Sequence, residues 1–400
     1  MSSRAILIVT KFGYRRGGAE AVAIDLARLL HSHGWRTAMF AMDFPANDPA
    51  SPDIPLFTAP EVSIDGSAAD KARAARRILG GAGVGAAFSR ALREFSPDIV
   101  HFHNIHSYLS PEVVRIAAMA GIPTVWTLHD YKLVCPAYSC LSNGKICEDC
   151  IGGNKRNVLS KRCMKGSRAA SFLAWQEAGK WNVSRLEKAT DCFICPSTFM
   201  ASKMKQGGFS EEKLKVVCNF ADPEKTRNLT VSTERKPYYA YVGRLSDEKG
   251  VETLLKAAVQ FPYPLKIAGG GPLEDDLKMR FGRCENIEFL GMQNAMQVKE
   301  LLSNARFSVM PSECYDNNPL SVIESLCTGT PVVGARIGGI PELVTPGNGL
   351  LFRSGHVDSL ANSIAVAWES AFDYQNIAKE ALQRFSTQRY LKEILAAYND

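Results

Sequence analysis

Two successive series of alternating strand-like and helix-like segments run through the 400 residues, and no other feature narrows the fold as much. In the first series, Ala5–Thr10 reads as a buried strand. Gly17-Gly18 then opens a helix with apolar positions at Val22, Leu26, Leu29 and Leu30, and Gly34 is placed to end it. Thr37–Met42, Ile99–His103 and Thr124–His129 read as further strands, with a helix over Pro111–Ala120. Asp191–Pro196 reads as the last strand of this half, and the Pro- and Asp-rich stretch Asp43–Pro60 as loop. The second series has strands at Tyr238–Val242, Leu265–Ala268, Ile287–Leu290, Phe307–Met310 and Pro331–Ala335. Its helices fall at Val251–Gln260, Ala295–Ser303 and Pro319–Cys327, the last with proline in its first turn. Such alternation builds a parallel sheet between helix layers. The expected class is α/β: two Rossmann-like, doubly wound domains facing a cleft, residues 1–205 and 206–383, then an amphipathic tail helix over 384–400. Ligands of such sheets bind beyond the carboxyl ends of the strands, so the loops there are where chemistry is to be sought.

Composition excludes several classes. With 46% hydrophobic and 22% charged residues the chain is globular, neither disordered nor coiled coil. No apolar run approaches the roughly 20 residues that span a bilayer. Ile6–Val9 is too short for the apolar core of a signal peptide, so the expected location is cytoplasmic. Without export, the sequons Asn182-Val-Ser184 and Asn228-Leu-Thr230 carry no meaning. A net charge of +6, from 47 basic and 41 acidic residues, does not predict nucleic-acid binding. The charge is unevenly spread. Lys155, Arg156, Lys161, Arg162, Lys165 and Arg168 stand together without an acidic residue between Gly152 and Gln176, and Lys71, Arg73, Arg76 and Arg77 form a second cluster. Either is a solvated face, or a contact for an anionic membrane surface or a diphosphate-bearing acceptor.

Eleven cysteines in a chain with no export signal argue against a disulfide framework. Cys192 and Cys195 lie in an apolar strand and read as core thiols. Five others crowd together: Cys135, Cys140, Cys147, Cys150 and Cys163. Cys147-Glu-Asp-Cys150 is a C-x2-C pair, and with Cys135 and Cys163 it forms a candidate four-thiolate zinc site, structural because no position is left open. Reduced, unliganded thiols are the alternative. His101, His103 and His106 are a weaker metal candidate, since His106 falls in the loop beyond the strand.

Several segments could carry chemistry. Gly243-Arg-Leu-Ser-Asp-Glu-Lys-Gly250 joins a strand to a helix, so Arg244 and Lys249 can point at one anion, a diphosphate being a natural target. Gly269-Gly270-Gly271 allows close approach of backbone to a ligand. In Pro311–Ser325, Asp316 and Glu324 are eight residues apart, with Asn317, Asn318, Pro319 and Leu320 at the helix start. Glu324 suits two vicinal hydroxyls such as those of a ribose. Gly17, Gly18, His103, Asn104, His106 and His129 follow strands of the first half.

Together these segments resemble the retaining glycosyltransferases of family 4, which have the GT-B fold, and the resemblance covers nearly the whole chain. Gly17-Gly18 looks like the family's glycine loop near the acceptor, and Arg244 and Lys249 like its diphosphate-binding pair. Asp316-x7-Glu324 is similar to its E-x7-E motif, and Gly338-Gly339-Ile-Pro-Glu342 to the segment that follows. The resemblance implies that Glu324 binds the donor ribose and that Asp316 meets the donor sugar. It implies that backbone N–H groups around Asn318–Leu320 hold the sugar or the distal phosphate. His129 would be the cleft histidine beside the transferred sugar, and the tail helix the one that packs back on the first domain. The first half would then bind acceptor and the second the nucleotide sugar. Asp316 departs from the pattern by one methylene, keeping the charge and shortening its reach. The cysteine-rich insertion, residues 132–168, is not general to the family but resembles a bacterial subset, and its place after His129 suggests that it shapes the acceptor site.

The implied reaction moves a sugar from a UDP- or GDP-linked donor to a glycan or lipid-linked glycan, with retention, in cell-surface polysaccharide assembly. Arg244, Lys249 and backbone amides would stabilise the departing diphosphate without a catalytic metal, which fits the lack of an Asp-x-Asp pair near that site. Two other readings stand beside it: a regulatory or scaffold protein that kept the fold and lost catalysis, for which Asp316 is the one sequence argument, and a nucleotide-sugar epimerase. The basic clusters suggest a peripheral position at the inner face of a membrane.

Overall fold

The computed structural model describes residues 4–48, 50–63, 66–226, 229 and 231–399. The chain forms two compact units: Met1–Ser142, Cys147–Val217 and Leu391–Asp400 make the first, Asn143–Ile146 and Cys218–Tyr390 the second.

Unit 1 is built on seven strands, β1 (Ala5–Val9), β2 (Arg36–Met42), β3 (Leu56–Ala59), β4 (Ile99–Phe102), β5 (Thr124–Thr127), β6 (Cys192–Cys195) and β7 (Leu214–Val216). They lie in the order β3-β2-β1-β4-β5-β6-β7, paired in parallel. β1, β4, β5 and β6 are buried at every position. A strand covered on both faces has no polar side to alternate with, which is why β1 and β6 read as apolar runs, while β4 and β5 also bury His101, Thr124 and Thr127. Helix Gly18–Ser32 buries Val22, Leu26, Leu29 and Leu30, the stripe its periodicity predicts.

The structure corrects the sequence reading in several places. Leu56–Ala59, inside the stretch expected to be loop, is the edge strand β3; three of its four residues are only partly buried, so it lacks the apolar run that marks the central strands. The last strand of the sheet is β7, not Asp191–Pro196. Its addition moves the division of the chain from 205/206 to Val217/Cys218. Helices Ala68–Ile78 and Val84–Phe95 complete the crossover from β3 to β4. Arg77 does not belong to a basic face: it is fully buried and donates to the carbonyls of Tyr108 and Pro60 (both 2.8 Å) and Ala82 (2.7 Å). Burial lowers its guanidinium to about 10. Lys71, Arg73 and Arg76 remain exposed. Asn182 serves as a helix cap, accepting from the Arg185 amide at 3.1 Å. Asn228 and Thr230 of the other sequon lie outside the described residues.

Unit 2 carries β8 (Tyr239–Val242), β9 (Leu265–Ala268), β10 (Ile287–Gly291), β11 (Ser308–Met310), β12 (Val332–Ala335) and β13 (Gly349–Phe352). Their order is β10-β9-β8-β11-β12-β13, again parallel. Helices Glu274–Phe281, Val357–Glu369 and Tyr374–Arg384 and strand β13 extend the predicted set. Pro319 is the N-cap of helix Leu320–Cys327 rather than a residue of its first turn. In each sheet the order reverses beside its first strand, between β1 and β4 and between β8 and β11. Chains leaving the carboxyl ends of such a strand pair diverge to opposite sides and open a crevice there.

Candidate functional site

In unit 2, the chain leaving β8 folds as Gly243–Gly250 with a short 3-10 turn at Asp247–Lys249. Gly250 ends that turn with φ +66°, and a Cβ there would lie 2.0 Å from the Pro311 carbonyl. The left-handed turn and the missing side chain press the loop after β8 against the loop after β11. The Glu313 amide closes the contact on the Glu248 carbonyl at 2.9 Å. This seam brings Lys249 to Asp316: Nζ donates to Oδ1 at 2.5 Å. Ser312 donates to the other carboxylate oxygen. Gly338 (φ +60°) backs Asp316, its Cβ position 2.3 Å from the Asp316 carbonyl, which accepts from the Gly339 amide at 2.7 Å. Burial alone would depress the Lys249 ammonium; the Asp316 carboxylate more than offsets this and holds it above its ordinary value, so the lysine stays charged.

Arg244 opens the same loop. It is exposed and has no ion-pair partner among the described residues, while its carbonyl accepts from the Tyr241 hydroxyl at 2.8 Å. Helix Leu320–Cys327 begins without a side-chain cap; the Val322 amide in its first turn donates to the Pro319 carbonyl at 3.1 Å. Glu324 is half-buried on that helix. A free guanidinium, a poised ammonium and an open helix N-terminus at one switch point make an anion-binding arrangement.

Two of the expected donor-site segments also have packing partners within the unit. Gly271 is required by chain packing, because a Cβ there would lie 2.3 Å from the Leu245 carbonyl, and Gly269 likewise meets the Gly243 carbonyl at 1.9 Å. Gly270 has more room, its nearest neighbour being a carboxylate oxygen of Glu274 at 3.1 Å. The Asn318 side chain is buried and turned toward the start of the unit: its Oδ1 accepts from the Asn219 amide at 3.1 Å and its Nδ2 donates to Cys218 Sγ at 3.2 Å. Asn317, Pro319 and Leu320 are half-buried around the helix start.

In unit 1 the ends of β1, β4 and β5 gather a row of imidazoles. His101 and His103 stack at 4.5 Å, and His103 and His129 at 5.3 Å. His103 Nδ1 and His129 Nε2 share a hydrogen bond of 3.0 Å, while the buried Nε2 of His103 has no partner. His101 is held by the Thr127 hydroxyl (2.8 Å) and the Tyr398 hydroxyl (2.7 Å). Trp126 packs on His106 at 5.3 Å and donates its indole N–H to the His103 carbonyl at 2.9 Å. Burial drives His101 and His129 down to about 3, with His103 and His106 also well below the ordinary value, so all four are neutral at pH 7.

Three charged neighbours accompany these imidazoles: Glu20 and Asp130, which belong to the strand-end motifs, and Lys11, which the sequence reading did not single out. Lys11 lies directly beyond β1, where burial lowers it against the opposing pull of Asp130 and Glu20. Burial raises both carboxyls, Lys11 opposing. The signal for Lys11 was present: a charged residue immediately after a buried strand. Asn104 accepts the Lys11 amide on its carbonyl at 3.0 Å, and its side-chain Oδ1 is buried without a partner. Gly17 caps helix Gly18–Ser32 with an extended φ of −160° and without any side-chain bond.

Two family models divide the chain. Residues 16–225 match Glycosyltransferase Family 4, and residues 222–384 match Glycosyl transferases group 1. Sulfoquinovosyl transferase SQD2 of Arabidopsis thaliana is 26% identical over 322 residues, covering 75% of this chain and 55% of that protein. The O-antigen biosynthesis glycosyltransferase WbnH of Escherichia coli is 30% identical over 217 residues, 53% of this chain and 60% of that one. The chain thus spans a little over half the length of these curated relatives. Among solved structures, Anabaena Alr3699/HepE in complex with UDP and glucose superposes with a TM-score of 0.68 at 20% identity, covering 99% of both chains. Sucrose-phosphate synthase from Thermosynechococcus elongatus superposes with a TM-score of 0.71 at 18% identity, covering 99% of this chain and 98% of that one. With two parallel Rossmann-like sheets and a family model over more than half its length, the chain belongs to glycosyltransferase family 4 and has the GT-B fold.

Proposed function

We propose that the protein transfers a hexose from a UDP- or GDP-linked donor to the hydroxyl of a glycan or lipid-linked glycan, retaining the anomeric configuration, in cell-surface polysaccharide assembly. The carrying observation is the unit 2 loop pair: unpaired Arg244, Lys249 held on Asp316, and the uncapped helix at Leu320. A nucleoside diphosphate entering there supplies the anion that Arg244 lacks. Lys249 then exchanges one oxygen anion for another, so its charge is compensated throughout. Asp316, released from the lysine, becomes an acceptor for a donor-sugar hydroxyl. As the bond to the sugar breaks, negative charge grows on the distal phosphate, where Arg244, Lys249 and the helix amides stabilise it without reorganising. Glu324 pairs with the ribose hydroxyls. In this reading the neutral imidazoles of His103 and His129 and the side chain of Asn104 offer hydrogen bonds to a polyol rather than charge to an anion. The leaving phosphate takes the acceptor proton. The reading needs no catalytic metal, since two cations and a helix end supply the positive charge.

The O-antigen relative and an uncharacterised protein from a Klebsiella pneumoniae cps region support the polysaccharide setting. No helix among the described residues is long and apolar enough to cross a membrane. Arg156, Arg162, Lys165 and Arg168 are exposed and are proposed to hold the protein at an anionic membrane surface, its peripheral place at the inner face. Lys155 and Lys161 take no part in this, being bonded to the Val134 carbonyl and to Asp149. Calorimetry with UDP, GDP and ADP on wild type and Arg244→Ala tests the donor site. Binding of one nucleotide, lost in the variant, supports it; no binding of any of the three sinks it.

A further inference from the structure

The cysteine-rich insertion has little of its own to hold it. Its regular structure amounts to the two-residue strands Leu141–Ser142 and Lys145–Ile146 and the single helical turn Asn157–Ser160. Yet its backbone is sharply bent. Tyr138, Cys140, Asn143, Arg162 and Lys165 all have left-handed φ between +49° and +59°, five of the nine such non-glycine residues described. Conformations of this kind cost on the order of 1–3 kcal/mol each and persist only where the surroundings over-determine them. Segments too small for an apolar core are commonly held by a covalent or metal cross-link.

The same segment forms a partly open cavity of about 10 Å³, room for roughly one water-sized sphere. Four cysteines line it: Cys135, Cys147, Cys150 and Cys163. All are free thiols. Cys147 and Cys150 bracket a tight turn in which the Ile151 amide bonds the Glu148 carbonyl at 2.8 Å. Lys161 Nζ donates to Cys147 Sγ at 3.3 Å. The fifth cysteine, Cys140, is fully buried but does not line the cavity. Among the described residues no three such side chains yet converge at metal-holding geometry, so the sulfurs surround the cavity at more than coordinating range.

We propose that Cys135, Cys147, Cys150 and Cys163 bind one Zn²⁺ as a structural, four-thiolate site, the side chains turning inward to a Zn–S distance of roughly 2.3 Å. Each Zn–S bond replaces an S–H bond, the proton passes to solvent, and no electron is transferred. The closed site carries two net negative charges. Lys161 stands against one sulfur, and Lys155 bonds the Cys150 carbonyl, so a cation is in place on two sides of the site. Four protein ligands leave no position for a substrate, so the metal fixes the bent insertion and takes no part in sugar transfer. The inference is independent of the proposed activity.

The test uses the full chain, expressed with zinc and purified under reductant without chelator. The expected content is about one zinc per chain, with all eleven cysteines titrating as thiols after denaturation in chelator. Exchange into Co²⁺ should produce thiolate-to-metal charge transfer and the visible bands of a tetrahedral site. Cys147→Ser and Cys150→Ser should lose the metal, while Cys140→Ser and Cys284→Ser keep it. Protein without zinc and without a cobalt spectrum overturns the proposal, as does a thiol count two short of eleven, which would mean a disulfide. Zinc that survives Cys147→Ser or Cys163→Ser but is lost in Cys140→Ser overturns the ligand set. The wild-type metal content and cobalt spectrum decide the matter even if a variant fails to fold.

Discussion

The two units line the same topological place with different chemistry. In unit 2 the switch point is lined by charge: exposed Arg244, Lys249 on Asp316, and a helix start left open. Its loops are locked by glycines at left-handed φ, Gly250 and Gly338, each pressed against a carbonyl. In unit 1 the switch point is lined by neutral rings, His101, His103 and His129 stacked in a row, with their charge suppressed by burial. Its glycine loop is relaxed: Gly17 is extended, and the nearest atom to a Cβ there is a Glu20 carboxylate oxygen at 3.4 Å. A fixed, highly charged ligand repays a rigid charged cradle. A neutral polyol is better met by a surface of adjustable hydrogen bonds, which neutral imidazoles provide whichever nitrogen bears the proton.

The largest expected effect breaks the comparison if it fails. Arg244→Ala and Lys249→Ala should each lose on the order of 10²–10³ in turnover and weaken nucleotide binding, with the thermal midpoint unchanged for Arg244→Ala and lowered for Lys249→Ala, which leaves the Asp316 carboxylate without its ion pair. His103→Ala should leave nucleotide binding intact while lowering acceptor-dependent turnover. If His103→Ala weakens nucleotide binding as much as Lys249→Ala does, the division of labour between the units is wrong.

Stability comes next. Gly250→Ala and Gly338→Ala must place a Cβ within 2.0 and 2.3 Å of a carbonyl oxygen at positive φ. Each should cost unit 2 about 1–3 kcal/mol or more in denaturant unfolding. Gly17→Ala should cost unit 1 less than about 1 kcal/mol, the ordinary price of a poorer helix cap. Equal losses would show that the unit 1 loop is as tightly built as the unit 2 loop.

Acid should separate the units. His101 has its folded value at about 3, far below the ordinary 6.5. The unfolded chain therefore binds the proton more readily. The stabilising neutral state is complete above pH 6.5 and is lost as pH falls toward 3, by about 1.4 kcal/mol per pH unit for one fully shifted histidine. Glu20 and Asp130, both raised, act in the opposite sense. Trp368 is the one tryptophan of unit 2, so fluorescence of Trp368→Phe reports unit 1 alone. Its thermal midpoint should fall between pH 6.5 and 5, and the fall should shrink in His101→Gln. A midpoint flat over that range and unchanged in slope by His101→Gln would mean that the histidines are not neutral.

The smallest effect concerns Asp316. Asp316→Glu restores the methylene and should change turnover by less than about tenfold, because the loop seam already brings a short carboxylate to Lys249. Asp316→Asn should cost more, through the unpaired, half-buried ammonium it leaves in the free protein. Steady-state kinetics on the pair tests whether charge or reach matters here.

Much of this was legible before the structure. Central strands announced themselves because burial on both faces demands continuous apolar runs, and the candidate loops followed from where those strands end. The edge strand β3 was not legible, because its half-buried residues carry no such run. Nor was β7, a three-residue strand with no buried position. The tertiary neighbours of three singled-out residues were not legible either. Arg77 reads as one more surface cation until three carbonyls from distant segments surround it. Gly271 reads as a glycine that lets backbone approach a ligand, and the Leu245 carbonyl also occupies its side-chain space. Asn318 reads as part of the donor loop by its backbone, and its side-chain Oδ1 additionally accepts from the Asn219 amide.

Sequence alone determined the α/β class, the two βα series and the loops in which chemistry-bearing residues sit, because local periodicity and glycine placement report whether a segment is covered and where it turns. Only the tertiary structure decided partners. Lys249 and Asp316 are 67 residues apart and meet because Gly250 lets two loops touch; the three cysteine segments around the cavity and the row of histidines assemble in the same way. Such contacts depend on strand order and crossover geometry, and no local spacing encodes them.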